Sequence, residues 1–275
     1  VALAVVGLLG ATLLLGHLYS QKGALLARRG DLVRAEEEFA SAVKWDPLSP
    51  QFRLDLANVR ATLAAAGSAR GPAAEALALA KEAVALDRFN PAVRTAYAAL
   101  ALRSGQVLEG LEALEEAVHL HPYQVRGYEN LSRAYVEVGF ALLDAGSADE
   151  ARGYLEKALA LPTAIEEKRA AAPRWVSPQN NLPETTPALS LALGQARALL
   201  RQYPEAARDL ESAGRNKDLQ AEALLWQALV HDRLGDTARS KAALDQALKL
   251  EEDAETRYAK IMTMADRIAP ALEEK

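Results

Sequence analysis

Cysteine is absent from all 275 residues. That excludes disulfides, thiolate nucleophiles, Cys-based zinc sites and acylation at a Cys, and it leaves the redox compartment open. Aromatics are scarce at 5%, so a core has to be assembled from many small contacts between helices rich in Ala and Leu. A dominant charge is also lacking. The 32 basic and 37 acidic residues are interspersed and leave a net charge of −5, which excludes the clustered basic face of a nucleic-acid binder. Phosphate-cradling glycine motifs, a nucleophile elbow and a zincin H-E-x-x-H are missing. What remains, 50% apolar and 25% charged residues, is the balance of a folded chain.

Charge is missing again at the start, where Val1 to Tyr19 carries none if His17 is neutral and the first Lys is Lys22. A helix of that length spans roughly 28 Å, about one hydrocarbon core. A basic n-region and an A-x-A-like cleavage site are absent, which disfavours a secretory signal. A transmembrane helix is the favoured reading over a signal peptide and a buried soluble helix. With no initiator Met, the chain is expected to begin upstream of Val1. Lys22, Arg28, Arg29 and Arg34 follow the run, and acidic residues interleave with them, so the side of the membrane stays open.

Self-similarity dominates the rest. Gly23, Ala35, Ala42 and Pro47 are spaced 12, 7 and 5, and the same intervals recur as Ala98, Gly110, Ala117 and Pro122. They return without the final Pro as Gly194, Ala206, Ala213 and as Ala228, Ser240, Ala247. Two copies, Ala57, Ala76, Ala83 and Ser132, Ala151, Ala158, show 19 in place of 12. The excess of seven is close to two helical turns, which leaves a buried face nearly unrotated. Small residues at such intervals let two antiparallel helices approach closely. Gly30, Gly105, Gly146 and Gly235 mark the turns between paired helices, and the prolines of "WDPLSP", "LDRFNP" and "LHPY" close the second helix.

The stretch "GALLARRGDLVRAEEEFASAVKWDP" resembles a tetratricopeptide repeat (TPR), with the small residue of its first helix, the Gly-Asp turn, the Ala and Phe of its second helix and the closing Asp-Pro. The resemblance implies an all-α fold: a right-handed TPR superhelix, an α-solenoid of about six helical hairpins, preceded by a transmembrane helix. The expected organisation is a membrane span over residues 1–15, repeats one to four over 16–162 and a Pro-rich loop over 163–186. Repeats five and six follow over 187–253, and a capping helix and tail over 254–275. The six repeats fall at 16–49, 50–90, 91–123, 124–162, 187–218 and 221–253. Arg60 and Arg197 stand where the first helix of a repeat expects a large apolar residue. The loop "PTAIEEKRAAAPRWVSPQNNLPETTP" is read either as a spacer pinned by Trp175 or as a partner-binding loop. Together with the apolar start and the extended helices of repeats two and four, it is similar to the C-terminal region of bacterial O-antigen ligase or polymerase-like membrane proteins. The catalytic portion of that family lies outside these residues, so none of its roles is carried over.

Chemistry is sparse. His119 and His121 flank one Leu, but helical geometry points them apart and a third ligand is not evident. Asn130-Leu131-Ser132 is a glycosylation sequon inside an expected helix. No cofactor, metal or catalytic residue is expected, and the chain is not expected to be an enzyme by itself. Binding remains, since the first helices of stacked hairpins line a concave surface. The candidate groove residues are Asp55, Asn58, Thr95, Arg103, Arg126, Glu129, Asn130, Arg133, Glu137, Glu222, Trp226 and Arg233. The Arg126, Asn130 and Arg133 cluster suits a carboxylate or an acidic peptide. Some TPR proteins grip a peptide carboxylate with a Lys and an Asn in their first helix; Ser20 and Ala24 stand in the comparable places, which disfavours that grip. The sequence therefore suggests a protein-binding scaffold tethered through residues 1–15 at the bacterial cytoplasmic membrane. It would be the non-catalytic tail of an O-antigen ligase-like protein or, alternatively, a single-span adaptor for assembly or secretion of envelope proteins.

Overall fold

The structure, a computed structural model, describes residues 2–67, 73–176, 182–269 and 272, with side chains described for all of these except 2–9 and 11. Thirteen helices occur among the described residues. They are α1 (Ala2–Arg28), α2 (Leu32–Trp45), α3 (Pro50–Ala65), α4 (Ala73–Leu86), α5 (Pro91–Arg103), α6 (Val107–Leu120) and α7 (Val125–Asp144). They continue as α8 (Ala148–Ala170), α9 (Pro187–Leu199), α10 (Tyr203–Gly214), α11 (Gln220–Arg233), α12 (Thr237–Leu250) and α13 (Ala254–Arg267). Contacts divide the chain into Val1–His121 and Pro122–Lys275. The first unit holds hairpins α1/α2, α3/α4 and α5/α6, and the second holds α7/α8, α9/α10 and α11/α12 with α13. The fold is an all-α helical-repeat solenoid.

The repeat intervals are packing positions. Ala35, Ala42, Ala57, Ala83, Ala98, Ala151, Ala158, Ala206, Ala213, Ala228 and Ala247 are fully buried. A methyl on Gly23 would lie 3.0 Å from the Phe39 ring, and one on Gly194 would lie 2.7 Å from Leu210 Cγ. The second distance excludes a side chain without a shift of Leu210, and the first would force the Phe39 ring to give way by a few tenths of an ångström. Helix starts follow the sequence as well. Ser49, Asn90 and Thr186 each accept a hydrogen bond from the first turn, and a Pro follows at the first helical position.

Gly30, Gly105, Gly146 and Gly235 all have φ near +80° and close their helices with αL turns. The α9/α10 hairpin makes the same turn without glycine. Arg201 has φ +60°, and Gln202 N–H returns to the Arg197 carbonyl at 2.8 Å. A side chain in αL costs about 1–2 kcal/mol. Arg201→Gly is therefore expected to raise stability by about 1 kcal/mol, read as a higher urea midpoint with unchanged helix content.

Several expectations need correction. The transmembrane helix expected over residues 1–15 conflicts with the fold, because no helix among the described residues is long and apolar enough to cross a membrane. Fifteen residues extend only about 22 Å as a helix, short of a hydrocarbon core of about 30 Å. From Gly16 onward α1 is committed to protein packing: a methyl on Gly16 would meet Phe52 at 3.1 Å and Asp46 at 3.2 Å. Helix α1 itself is continuous from Ala2 to Arg28.

Pro162 does not end repeat four. Helix α8 runs through it to Ala170, and the 163–186 loop shortens accordingly. The lost N–H bond at Pro162 is offset by burial of Leu161 and Ile165 on either side. Nor does Trp175 pin the loop, being 82% exposed; among the described residues there, Val176 and Leu182 are buried. The seven extra residues of repeat four all enter α7, which has 20 residues against 13 in α5. In repeat two part of the excess lies between Ala65 and Ala73, where residues 68–72 fall outside the described residues.

Candidate functional site: the face of the first helices

Within the first unit, α3 and α5 bring Asn58 and Arg103 together from 45 residues apart, with Arg103 Nη2 donating to Asn58 Oδ1 at 3.3 Å. Both are exposed. Thr95 does not belong with them, since its hydroxyl donates to the Pro91 carbonyl of its own helix at 2.8 Å. Arg60 is not a packing defect: it reaches Glu36 on α2 at 2.8 Å and Glu75 on α4 at 3.5 Å. In the second unit Arg197 likewise pairs with Asp209 on α10.

Asp55 accepts from Gln51 Nε2 at 2.8 Å. Burial pushes its carboxyl above the ordinary value, against hydrogen bonds from Gln51 and Ser20 that lower it. With the folded value raised, the folded state holds its proton more tightly than the unfolded state. Stability is therefore lost as pH rises from the ordinary carboxylate value of 3.8 through the raised one. Asp55→Asn keeps the acceptor for Gln51 and removes the charge. Its advantage over the parent in urea unfolding is expected to be absent at the acid end of that window and to grow as pH rises through it.

The second unit carries the denser arrangement. On α7, Arg126, Asn130, Arg133, Glu137, Phe140 and Asp144 recur at intervals of four and three, so they form one stripe along the helix. Arg126, Arg133 and Glu137 are exposed. Arg133 donates to Asn130 at 3.4 Å and lies 3.9 Å from Glu137. Glu129, off this stripe, accepts from the Thr186 hydroxyl, and Thr186 also caps α9. The stripe is basic toward the start of α7 and acidic toward its end.

The acidic end is covered by α13. Arg267 Nη1 donates to the Asp144 carboxylate at 2.9 Å and to the Leu143 and Asp144 carbonyls at 3.2 Å, satisfying the open end of α7. Lys260 lies 3.3 Å from Asp144. On α11, Glu222 accepts from Trp226 Nε1 at 2.9 Å, from Gln195 Nε2 of α9 at 3.0 Å and from Arg257 of α13. Arg233 pairs with Asp266 of α13. Between α7, α11 and α13 lies a cavity of about 250 Å³ lined by Glu137, Phe140, Glu222, Trp226, Arg257, Lys260, Ile261 and Met264.

The candidate residues thus separate. Asn58 and Arg103 meet on one face, and Arg126, Asn130, Arg133 and Glu137 share another. Arg233 is engaged by the C-terminal helix. Trp226, expected as a groove residue, is 1% exposed with its ring 5.3 Å from that of Phe140; it is a core side chain forming one wall of the cavity. Sequence reasoning missed Phe140, Asp144, Arg257, Lys260 and Arg267. The spacing of the α7 stripe offered the first two, and the basic residues three and ten places apart in α13 offered the others.

The tetratricopeptide repeat family model matches residues 221–253, the α11/α12 hairpin. No curated protein matches the chain. Among solved structures, PilF of Pseudomonas aeruginosa is similar with a TM-score of 0.54 and 19% identity, covering 89% of this chain and 97% of that one. PilW, a widely conserved type IV pilus biogenesis factor, is similar with a TM-score of 0.56 and 17% identity, covering 88% and 97%. A tetratricopeptide repeat protein from Parabacteroides merdae is similar with a TM-score of 0.59 and 14% identity, covering 92% and 93%. These likenesses and the family match support the TPR reading of the fold. An O-antigen ligase-like relative is not among them.

Proposed function

We propose that this chain is a scaffold that holds a protein segment against the first helices of its hairpins. The observation that carries the reading is the α7 stripe, where Arg126, Asn130 and Arg133 stand on one face of a rigid helix. The helix fixes the spacing of these side chains before binding, so no backbone has to be ordered, and a guanidinium pair with an amide between them is chemistry for carboxylates and peptide carbonyls. The Asn58–Arg103 pair offers the same donor and acceptor types in the first unit. Scaffolding requires no catalytic constellation, and stacked hairpins present long surfaces suited to it.

The two settings suggested by the sequence, a glycan-ligase tail and an envelope-assembly adaptor, rest on the apolar start, the extended helices of repeats two and four and the loop composition. Neither is needed for the scaffold reading. The test is charge reversal of Arg126→Glu with Arg133→Glu, followed by crosslinking pull-down. Captured proteins are expected to fall about tenfold, the scale of losing roughly 1–2 kcal/mol of charged contacts. An unchanged set of captured proteins would remove the stripe as a recognition site.

A further inference from the structure

Helix α13 was expected only to cover the last apolar face of the stack. Its buried residues do that: Met264 and Ile268 are almost fully enclosed, and Tyr258 engages Ser240 of α12. Its charged residues do something else. Arg257 meets Glu222 on α11, while Lys260 and Arg267 reach beyond the final hairpin to Asp144 at the end of α7. Ile261 and Met264 stand between them, facing Phe140 and Trp226 across the cavity. The α7 end that receives them belongs to the length by which α7 exceeds α5.

We propose that the acidic end of the α7/α11 face is a docking site for a basic amphipathic helix, that α13 occupies it in the resting chain, and that a partner helix of the same pattern displaces α13. The partner carries Lys or Arg at positions 1, 4 and 11 with apolar residues at 5 and 8, the pattern of Arg257, Lys260, Arg267, Ile261 and Met264. Charge complementarity selects it: Glu137, Asp144 and Glu222 line the site, and Phe140 and Trp226 form its apolar floor. Displacement is an exchange of like contacts: the partner's apolar residues replace Ile261 and Met264, which are 7% and 1% exposed, and its cations replace charge pairs that hold α13 only weakly. The Lys260–Asp144 pair is 65% and 49% exposed, and exposed pairs are weak and screened by salt. An acidic peptide suits the opposite, Arg126 end of the stripe, so the two ends of α7 sort partners by sign.

This rests on the scaffold reading but uses the other end of α7, so its failure leaves the Arg126/Arg133 experiment standing. The test uses the full chain and a fluorescein-labelled peptide of residues 254–269. Lys260→Glu with Arg267→Glu repels α13 from Asp144 and opens the site. This variant is expected to bind the peptide about tenfold more tightly than the parent chain, in low salt, by fluorescence anisotropy. Adding Asp144→Lys is expected to abolish the gain, and a peptide with Glu at the three basic positions is expected not to bind. If the double reversal loses helix content, Lys260→Glu alone carries the test with a gain of about threefold. Equal binding by parent and variants overturns the proposal. So does a loosened variant that dimerises without taking up peptide, because its occupant is then a second copy of this chain.

Discussion

Trp226→Ala is expected to lower the unfolding free energy by about 3–5 kcal/mol, the range for removing a large aromatic from a packed core. The indole is 1% exposed and sits against the Phe140 ring at 5.3 Å, so truncation removes both contacts and enlarges a cavity already present beside it. It also deletes an N–H that donates to Glu222 at 2.9 Å. Alanine suits a helix, so the backbone of α11 gives no offsetting loss or gain beyond a few tenths of a kcal/mol, taken as ~0.5. Trp175→Ala is the control. That ring is 82% exposed, and its removal is expected to change stability by less than about 0.5 kcal/mol. Urea unfolding followed by circular dichroism separates the two; equal effects would mean that Trp226 is not in the core of the second unit.

Glu222→Ala is expected to cost about 2 kcal/mol, well above an ordinary surface substitution. One carboxylate there serves three donors from three helices: Gln195 on α9, Trp226 on α11 and Arg257 on α13. Removing it leaves the Arg257 guanidinium with Glu251 alone and strands an indole N–H, and the cost of a donor left without a partner exceeds the value of the bond it made. The side chain is 27% exposed, so water replaces part of what is lost, which keeps the effect below that of a fully enclosed ion. Combining Glu222→Ala with Arg257→Ala is expected to cost less than the sum of the single changes, because either change alone already removes the contact the two share. Strict additivity would mean that the two side chains do not meet.

The solenoid was legible because its signal is local and forced. Where two helix backbones approach, as at Gly23 against Phe39 and Gly194 against Leu210, only small residues fit, and their intervals repeat with the hairpin. The turn glycines are equally forced, since αL backbone excludes most side chains. Repeat five escaped that rule by holding Arg201 in αL, which no interval announces. Pro162 misled because a helix stop and a helix interior look alike in sequence; Leu161 and Ile165 on the buried side decide between them.

The groove was read only in part. Exposure of Arg126 and Arg133 follows from helical periodicity, but the burial of Trp226 against Phe140 and the return of α13 to α7 depend on contacts between residues far apart in the chain, the latter more than a hundred positions apart. Periodicity within one helix does not encode such contacts. Arg60 and Arg197 make the same point: each looked like a flaw in its repeat, and each is answered by a carboxylate on another helix.

The placement of α13 across α7 is the step on which the site depends, and the absence of cysteine makes it directly measurable. Asp144→Cys and Lys260→Cys would introduce the only two thiols in the chain, at side chains 3.3 Å apart in the parent. With a short bismaleimide, the doubly substituted monomer is expected to crosslink within itself and run as a single faster band in a denaturing gel, while either single variant does not. Absence of that band, or crosslinks formed only between two copies, would contradict the arrangement.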